Sequence, residues 1–227
     1  MIDASIPRQQ LKDFFGNLGY RLKLLEEVRA QTDVFLSTRF NVFDYIEPDE
    51  NRLSDVIAGL LDPKETHAQG DRFLRAFLNM VCGLNEGLSG GCLVLREDLT
   101  SFIQSNRRRM DILLVFDDFA VAIENKPWAG EQADQIADYV DHLRRRFVDN
   151  FIIVFLSPEG SEPESLKPGD KERIRKHRQL VCVGYNGVFR HWLEACVKEC
   201  CSEKIRWFLR DFIGFVEHEF GSALGTA

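Results

Sequence analysis

The clearest element in the pattern of apolar and polar positions lies between Met110 and Ile123. Two apolar runs, Met110 to Phe116 and Phe119 to Ile123, are separated only by Asp117 and Asp118, which predicts a tight antiparallel hairpin. With a two-residue turn, Asp111 lies opposite Glu124. Ile112, Leu114 and Phe116 then share one face and Leu113 and Val115 the other, so both strands are expected to be buried on both sides. Lys126 continues the line of Glu124, because side chains two apart on a strand point the same way.

Helical spacing dominates elsewhere. Pro7 to Phe15 and Tyr20 to Leu36 predict two helices broken near Gly16 and Gly19, with Leu22, Leu25, Val28 and Phe35 as one buried stripe. Phe40 to Ile46 is aromatic and irregular. Pro48-Asp49 opens a helix through about Leu61, stopped by Asp62-Pro63. Glu50 falls along or beside the face this helix buries, since Leu53, Ser54, Ile57 and Leu61 follow it at helical spacing. The next helix carries Phe73, Leu74, Phe77, Leu78 and Val81. Cys92 to Arg96 and a weaker Ser101 to Gln104 read as strands, and about Glu131 to Phe147 as a helix with Ile136, Val140 and Leu143 inward. Phe151 to Leu156 suits a buried strand, Ser157 to Asp170 an exposed loop, and Leu180 to Gly184 a last strand. Val188 to Cys200 and Lys204 to Phe220 predict two closing helices, and GSALGTA a frayed tail.

At 227 residues, 44% hydrophobic and 29% charged, the chain is expected to form one domain. Residues 1–43 read as an N-terminal helical extension, 44–156 as the core that carries the chemistry, and 180–220 as a C-terminal strand and helices. No apolar run approaches the roughly 20 residues that span a bilayer, and MIDASIPRQQ lacks the apolar segment of a signal peptide. The expectation is a soluble, cytoplasmic protein with no membrane partner. Six cysteines (Cys82, Cys92, Cys182, Cys196, Cys200, Cys201) form no CxxC and mostly sit in apolar runs, which predicts buried free thiols. A net charge of −7 argues against a general nucleic-acid coat protein. Three basic runs modify this: Arg107 to Arg109, Arg144 to Arg146, and Lys171, Arg173, Arg175, Lys176 and Arg178 in a loop-to-strand segment. Each alone is a solvated face; three around one acidic site suggest a phosphate track.

Asp111 and Glu124 are like charges facing each other across a ladder, which is destabilising unless something cationic offsets it. A divalent, oxygen-preferring metal is the natural candidate, with Lys126 close enough to hold a water or a developing negative charge. Gln135 and Tyr139 lie at i and i+4 on one helix face, so they can reach one site together. The ordinary reading of Glu50 is a first-turn glutamate favoured by the helix dipole, and that of His67 a structural or merely exposed loop histidine.

Asp111, then Glu124-Asn125-Lys126 after a short hairpin, resembles the D…(D/E)xK signature of the PD-(D/E)XK nuclease superfamily. Gln135 and Tyr139 resemble the QxxxY motif of its RecB-like and lambda-exonuclease-like branches, and Leu60 to Leu74 looks like a segment of a bacterial and archaeal branch. The order of elements is similar to that superfamily's αβββαβ core from roughly Asp44 to Leu156, and much less specifically so after Leu180. The resemblance implies an α/β, restriction-endonuclease-like fold with a mixed central sheet flanked by helices.

It further implies a metal-dependent nuclease that hydrolyses phosphodiester bonds of DNA, with restriction, repair or phage (antiviral) defence as the usual settings of prokaryotic members. Glu50, Asp111, Glu124 and the Asn125 carbonyl would bind one or two Mg²⁺, with Mn²⁺ as a substitute. Lys126 would act on the attacking water. Gln135 and Tyr139 would brace the site or touch the strand, and Arg107, Arg109 and His67 would contact substrate. DNA is the implied partner, with a homodimer or a separate recognition subunit left open. Some RecB-like nucleases carry an iron–sulfur cluster; the cysteine spacing here does not match it, so none is expected. A catalytically inactive nuclease-fold module, serving as a DNA-binding or protein-interaction subunit, would be marked by loss of Asp111, Glu124 or Lys126, and all three are present. A Mg²⁺ phosphotransferase would be expected to carry GxxxxGK[ST], which is absent.

Overall fold

The computed structural model describes residues 8–84, 91–99, 109–128, 135–164, 166 and 168–221. In chain order the helices are α1 (Arg8–Leu36), α2 (Phe43–Ile46), α3 (Glu50–Leu61), α4 (Arg72–Met80), α5 (Gln135–Phe147), α6 (Pro168–Lys176), α7 (Arg190–Glu199) and α8 (Glu203–Phe220). The strands are β1 (Leu93–Leu99), β2 (Arg109–Val115), β3 (Ala120–Asn125), β4 (Phe151–Ser157) and β5 (Leu180–Gly184), side by side in that order. β1, β2 and β3 pair antiparallel; β3, β4 and β5 pair parallel.

The change of direction follows from the connections. Four residues between β2 and β3, Phe116 to Phe119, permit only a hairpin, whereas α5 and α6 carry the chain back across the sheet before β4 and β5. The hairpin has the register its sequence predicts: Ile112 faces Ile123, Leu113 faces Ala122, and Phe116 N donates to Phe119 O (2.9 Å) across Asp117-Asp118. Every residue of β3 and β4 is buried, as strands covered on both faces require. Ile112, Leu114, Val121, Ile123 and Val154 pack with α3, α4, α7 and α8. Leu113, Ala120, Ala122, Ile153 and Phe155 pack on the opposite face with α5 and Ile174 of α6. The result is the mixed sheet flanked by helices that the resemblance implies.

The two ends of the sheet differ. Ala120 N donates to Asn150 O where β3 and β4 begin, and Lys126 N donates to Leu156 O where they finish. The finishing end holds the acidic motif.

Several expectations are corrected. The N-terminal segment is one helix running through Gly16 and Gly19, not two. A mid-helix glycine costs about 1 kcal/mol, less than breaking and renucleating a helix. The expected stripe is not buried: Leu22, Leu25, Val28 and Phe35 are 50–86% exposed, and α1 buries no residue. Separately from these corrections, the chain divides by packing into two compact units, Met1–Phe40 and Asn41–Ala227. Phe43 to Ile46 forms a helical turn, and the basic segment Lys171 to Lys176 is part of α6 instead of a loop leading into a strand. Within the loop after β4, Pro163 and Leu166 are buried. The helix expected from Val188 is preceded by a wide π-type turn over Tyr185–Phe189, kinked at Gly187. The strand expected at Ser101 to Gln104, the start of the helix expected at Glu131 and the tail after Gly221 lie outside the described residues.

The thiols are not uniformly buried. Cys92, Cys196 and Cys200 are buried, Cys82 and Cys182 partly so, and Cys201 is exposed. Burial pushes the Cys82 and Cys92 thiols up to about 12, which leaves them protonated and unreactive near neutral pH.

Candidate active site

The motif residues sit just past the last ladder pair of the hairpin, Ile112 with Ile123. There Asp111 Oδ2 accepts from Asn125 N (2.8 Å), so the aspartate side chain closes the strand end in place of a backbone pair. Alternation then sends successive residues to opposite sides of the sheet. Glu124, wholly buried, faces α5. Its Oε1 accepts from Gln135 Nε2 (2.7 Å) and its Oε2 from Tyr139 OH (2.8 Å). Helical spacing makes this double contact possible, because residues four apart stack on one face. The Tyr139 hydroxyl also lies 2.5 Å from Arg109 O and so bridges α5 to both strands of the hairpin.

Asn125 faces the other way. Its Nδ2 donates to Ser54 Oγ (2.9 Å) and lies 3.3 Å from Glu50 O, while Oδ1 accepts from the Tyr185 hydroxyl. The π-type turn after β5 delivers that tyrosine. Lys126 returns to the Glu124 side, and its ammonium bridges Glu50 Oε1 (2.6 Å) and Glu124 Oε1 (2.8 Å). Glu50 reaches it from the first turn of α3, which Asp49 caps by accepting from Arg52 N (2.8 Å).

Arg96 on β1 is a positioning residue that sequence reasoning missed. Its guanidinium donates to Asp55 Oδ1 (2.7 Å), to Asn51 O (3.1 Å) and to the Asp111 carbonyl, so it ties the first turns of α3 to β2. An arginine in the middle of an alternating strand carries no local signal of this; its three partners come from two other elements.

Burial and crowding of charge set the protonation of the cluster. Burial, then the nearby Asp111 charge, pushes the Glu124 carboxyl up to about 7 against the pull of Lys126. The Asp111 carboxyl is also raised, mainly by burial, with Asn125 N and Lys126 opposing. For Lys126 burial favours the neutral amine, but Glu124, Glu50 and Asp111 outweigh it and hold the ammonium above its ordinary value. Burial raises the Tyr139 and Tyr185 hydroxyls, so both remain hydrogen-bond donors.

The structure thus brings together Glu50, Asp111, Glu124, Asn125, Lys126, Gln135 and Tyr139. It does not bring His67 into that network. This side chain is buried, its Nε2 bonded to Asp62 O (2.9 Å) and its Nδ1 accepting from Gln69 N (2.9 Å), which leaves neither nitrogen for a phosphate. Arg109 is exposed and pairs with Glu97 (3.2 Å) beside the site; Arg107 lies outside the described residues. Arg144 to Arg146, and Arg178 at the end of the third run, lie at the other end of the sheet. Arg144 to Arg146 end α5, and Arg178 precedes β5, where the parallel strands begin. Arg144 there lies 3.5 Å from Asp149 Oδ1 and Gln179 Oε1. A helix of α5's length spans about 20 Å, so Arg144 to Arg146 cannot line the acidic cluster as the sequence suggested.

A family model described as the PD-(D/E)XK nuclease superfamily matches residues 40–213, and the chain belongs to that superfamily. No curated protein and no solved structure matches the chain. The matched span takes in the whole sheet, α3 and the motif residues and begins at the boundary between the two units. Among the described residues no helix is long and apolar enough to cross a membrane.

Proposed function

We propose that the protein is a divalent-metal-dependent nuclease hydrolysing phosphodiester bonds of DNA. The observation that carries this is Glu124: wholly buried, fixed by Gln135, Tyr139 and Lys126, and close to Asp111, with burial the main reason that both carboxyls are raised. Evolution of a stable hairpin alone gives no reason to place two such groups together.

The donor chemistry fits a hard cation. Glu50, Asp111 and Glu124 offer carboxylate oxygens and Asn125 a carbonyl, the set that Mg²⁺ or Mn²⁺ prefers. Gln135 Oε1 is buried with no hydrogen-bond partner, an acceptor beside Glu124 that suits an ordered water. Lys126 now supplies the positive charge between Glu50 and Glu124, and among the described residues no three acidic, His or Cys side chains are drawn close enough to form a metal cage. A metal held by Glu50 and Glu124 would compete with Lys126 for their oxygens. When bound, the metal would neutralise the phosphate and lower the pKa of the attacking water.

The chain's own residues do the rest. Lys126 Nζ, released toward the scissile phosphate, orients the water and steadies charge growing on the phosphoryl oxygens. Gln135 and Tyr139 hold the Glu124 carboxylate in one rotamer. Arg96 keeps α3, and with it Glu50, against β2. The QxxxY geometry supports a RecB-like reading of the branch, and a role in restriction, repair or phage defence, in the cytoplasm, is proposed from the superfamily alone.

A gel assay with linear, circular and single-stranded DNA tests the activity. Cleavage with Mg²⁺ or Mn²⁺, its loss in EDTA, and its loss in Glu124→Gln and Lys126→Ala are the expected results. Cleavage that survives EDTA, or full activity in Lys126→Ala, overturns the mechanism. The closed Lys126 bridge favours one second reading, a nuclease-fold module that binds without cutting. It predicts DNA retention with no cleavage under any metal.

A further inference from the structure

The chain has three tryptophans, and their surroundings differ. Trp192 is fully buried and donates to Phe73 O (2.9 Å). Trp207 is exposed on α8 but has the Arg210 guanidinium over its ring (4.9 Å). Trp128 is 51% exposed and lies two residues beyond Lys126. Its ring packs against Phe220 (5.9 Å between centroids), Phe220 stacks on Tyr185 (4.3 Å, 24° between planes), and the Tyr185 hydroxyl donates to Asn125 Oδ1.

These contacts form a column of three rings that starts on the motif asparagine and ends on an exposed indole. Asn125 is itself fixed by Ser54 Oγ and, through its backbone N–H, by Asp111. The column therefore moves with the acidic cluster. Pro127 between Lys126 and Trp128 sets φ near its ring-fixed value and stiffens the link. Two residues span at most about 7 Å, on the order of one or two nucleotide steps at about 3.4 Å per step along a strand.

We propose that Trp128 is a nucleobase-stacking platform holding a base beside the phosphate under attack, and that the site accordingly takes unpaired DNA, a single strand or an opened strand end. Only an unpaired base can offer its π-face to a side chain; in a duplex both faces are covered by neighbouring pairs. The charge distribution supports this mode of binding. The protein carries −7, and Arg144 to Arg146 end α5 at the far side of the sheet, so that basic run adds no phosphate contact near the site. Stacking supplies affinity that does not depend on cations and is indifferent to base identity. The inference rests on the nuclease reading for its location, but not for its test.

Binding is read by fluorescence anisotropy, in EDTA and in a Glu124→Gln background so that nothing turns over. The probes are a labelled oligothymidine strand, a duplex of equal length, and a strand of the same length built from abasic sites. Trp128→Ala should weaken binding of the oligothymidine about thirtyfold, the middle of the range for losing one base–aromatic stack. Trp128→Phe should restore most of it. Affinity for the duplex and for the abasic strand should change less than about twofold, since neither offers a free base face. Equal losses on all three probes, or no loss on the oligothymidine, overturn the proposal; the phenylalanine variant separates stacking from misfolding. Base-dependent binding without cleavage by the unsubstituted protein would sink the nuclease reading and leave this one standing. Cleavage with no base-dependent effect of Trp128 would do the reverse.

Discussion

At the scale of single residues, the chemistry turns on one ammonium shared among three carboxylates. Lys126 bridges Glu50 and Glu124, and Asp111 lies just beyond. Removing one partner of a buried ion pair leaves charge uncompensated, typically at about 3–5 kcal/mol. Lys126→Ala should therefore melt earlier without metal, toward the lower end of that cost because Glu124 can take up a proton. A divalent ion should then recover more stability in the variant than in the unsubstituted protein, since it no longer competes with an internal cation; thermal melts in EDTA and in Ca²⁺ or Mg²⁺ read both effects. An equal metal shift in the two proteins would show that Lys126 does not occupy the place the metal needs.

The same residues set a pH dependence. Glu124 titrates near 7 in the folded protein against an ordinary value of 4.5, so between these values the folded state holds more protons than the unfolded chain. Stability from this group is fully present below the unfolded value and is lost as pH rises through the folded one. The interval corresponds to roughly 3 kcal/mol, and the raised Asp111 acts in the same direction. Metal-free melting temperatures should fall from about pH 5 to about pH 8, and Asp111→Asn should flatten that fall and raise the melting temperature near neutral pH by a few degrees. The asparagine can still accept from Asn125 N. A variant that melts earlier than the unsubstituted protein in EDTA, or that gains as much from Mg²⁺, would contradict shared occupancy of one metal by the two carboxylates.

At the scale of elements, α5 serves the hairpin as a clamp. Tyr139 joins Glu124 on β3 to the Arg109 carbonyl on β2, and Gln135 repeats the contact to Glu124 one turn earlier. Tyr139→Phe keeps the ring but removes the single hydroxyl proton available to Glu124 Oε2 and the Arg109 carbonyl, a loss of about 1–3 kcal/mol. Turnover should fall by less than in Glu124→Gln, because the carboxylate remains and only its orientation loosens. A Tyr139→Phe protein as inactive as Glu124→Gln with an unchanged melt would assign the hydroxyl to substrate instead. A second junction, at the finishing ends of β4 and β5, allows no side chain at all. Gly160 has φ +76°, and a Cβ there would stand 2.7 Å from Gly184 N. Gly160→Ala should destabilise by about 1–3 kcal/mol through strain and displaced backbone, measured by denaturant unfolding.

At the scale of the whole molecule, both buried clusters lie within residues 41–221, and α1 buries no residue of its own. The family match begins at residue 40. A chain lacking residues 1–40 should therefore keep its melting temperature within about 3 °C and keep its metal-dependent cleavage. A collapse of either would show that the N-terminal unit completes the fold or the site.

The sequence by itself determined what depends on near neighbours. Two apolar runs two residues apart dictate the hairpin and its register, Asp49 and Asp62 mark the ends of α3, and the four-residue spacing puts Gln135 and Tyr139 on one face. These signals are periodicities and caps, written within a few residues of the structure they cause. Tertiary structure decided the rest. Lys126 finds Glu50 across 76 positions, Tyr185 finds Asn125 across 60, and Arg96 gathers α3 and β2 from a third element, none of which leaves a local mark. Packing also withdrew His67 into its own loop and set Arg144 to Arg146 at the far end of the sheet, because strand direction, not sequence distance, fixes which side of the molecule a charge reaches.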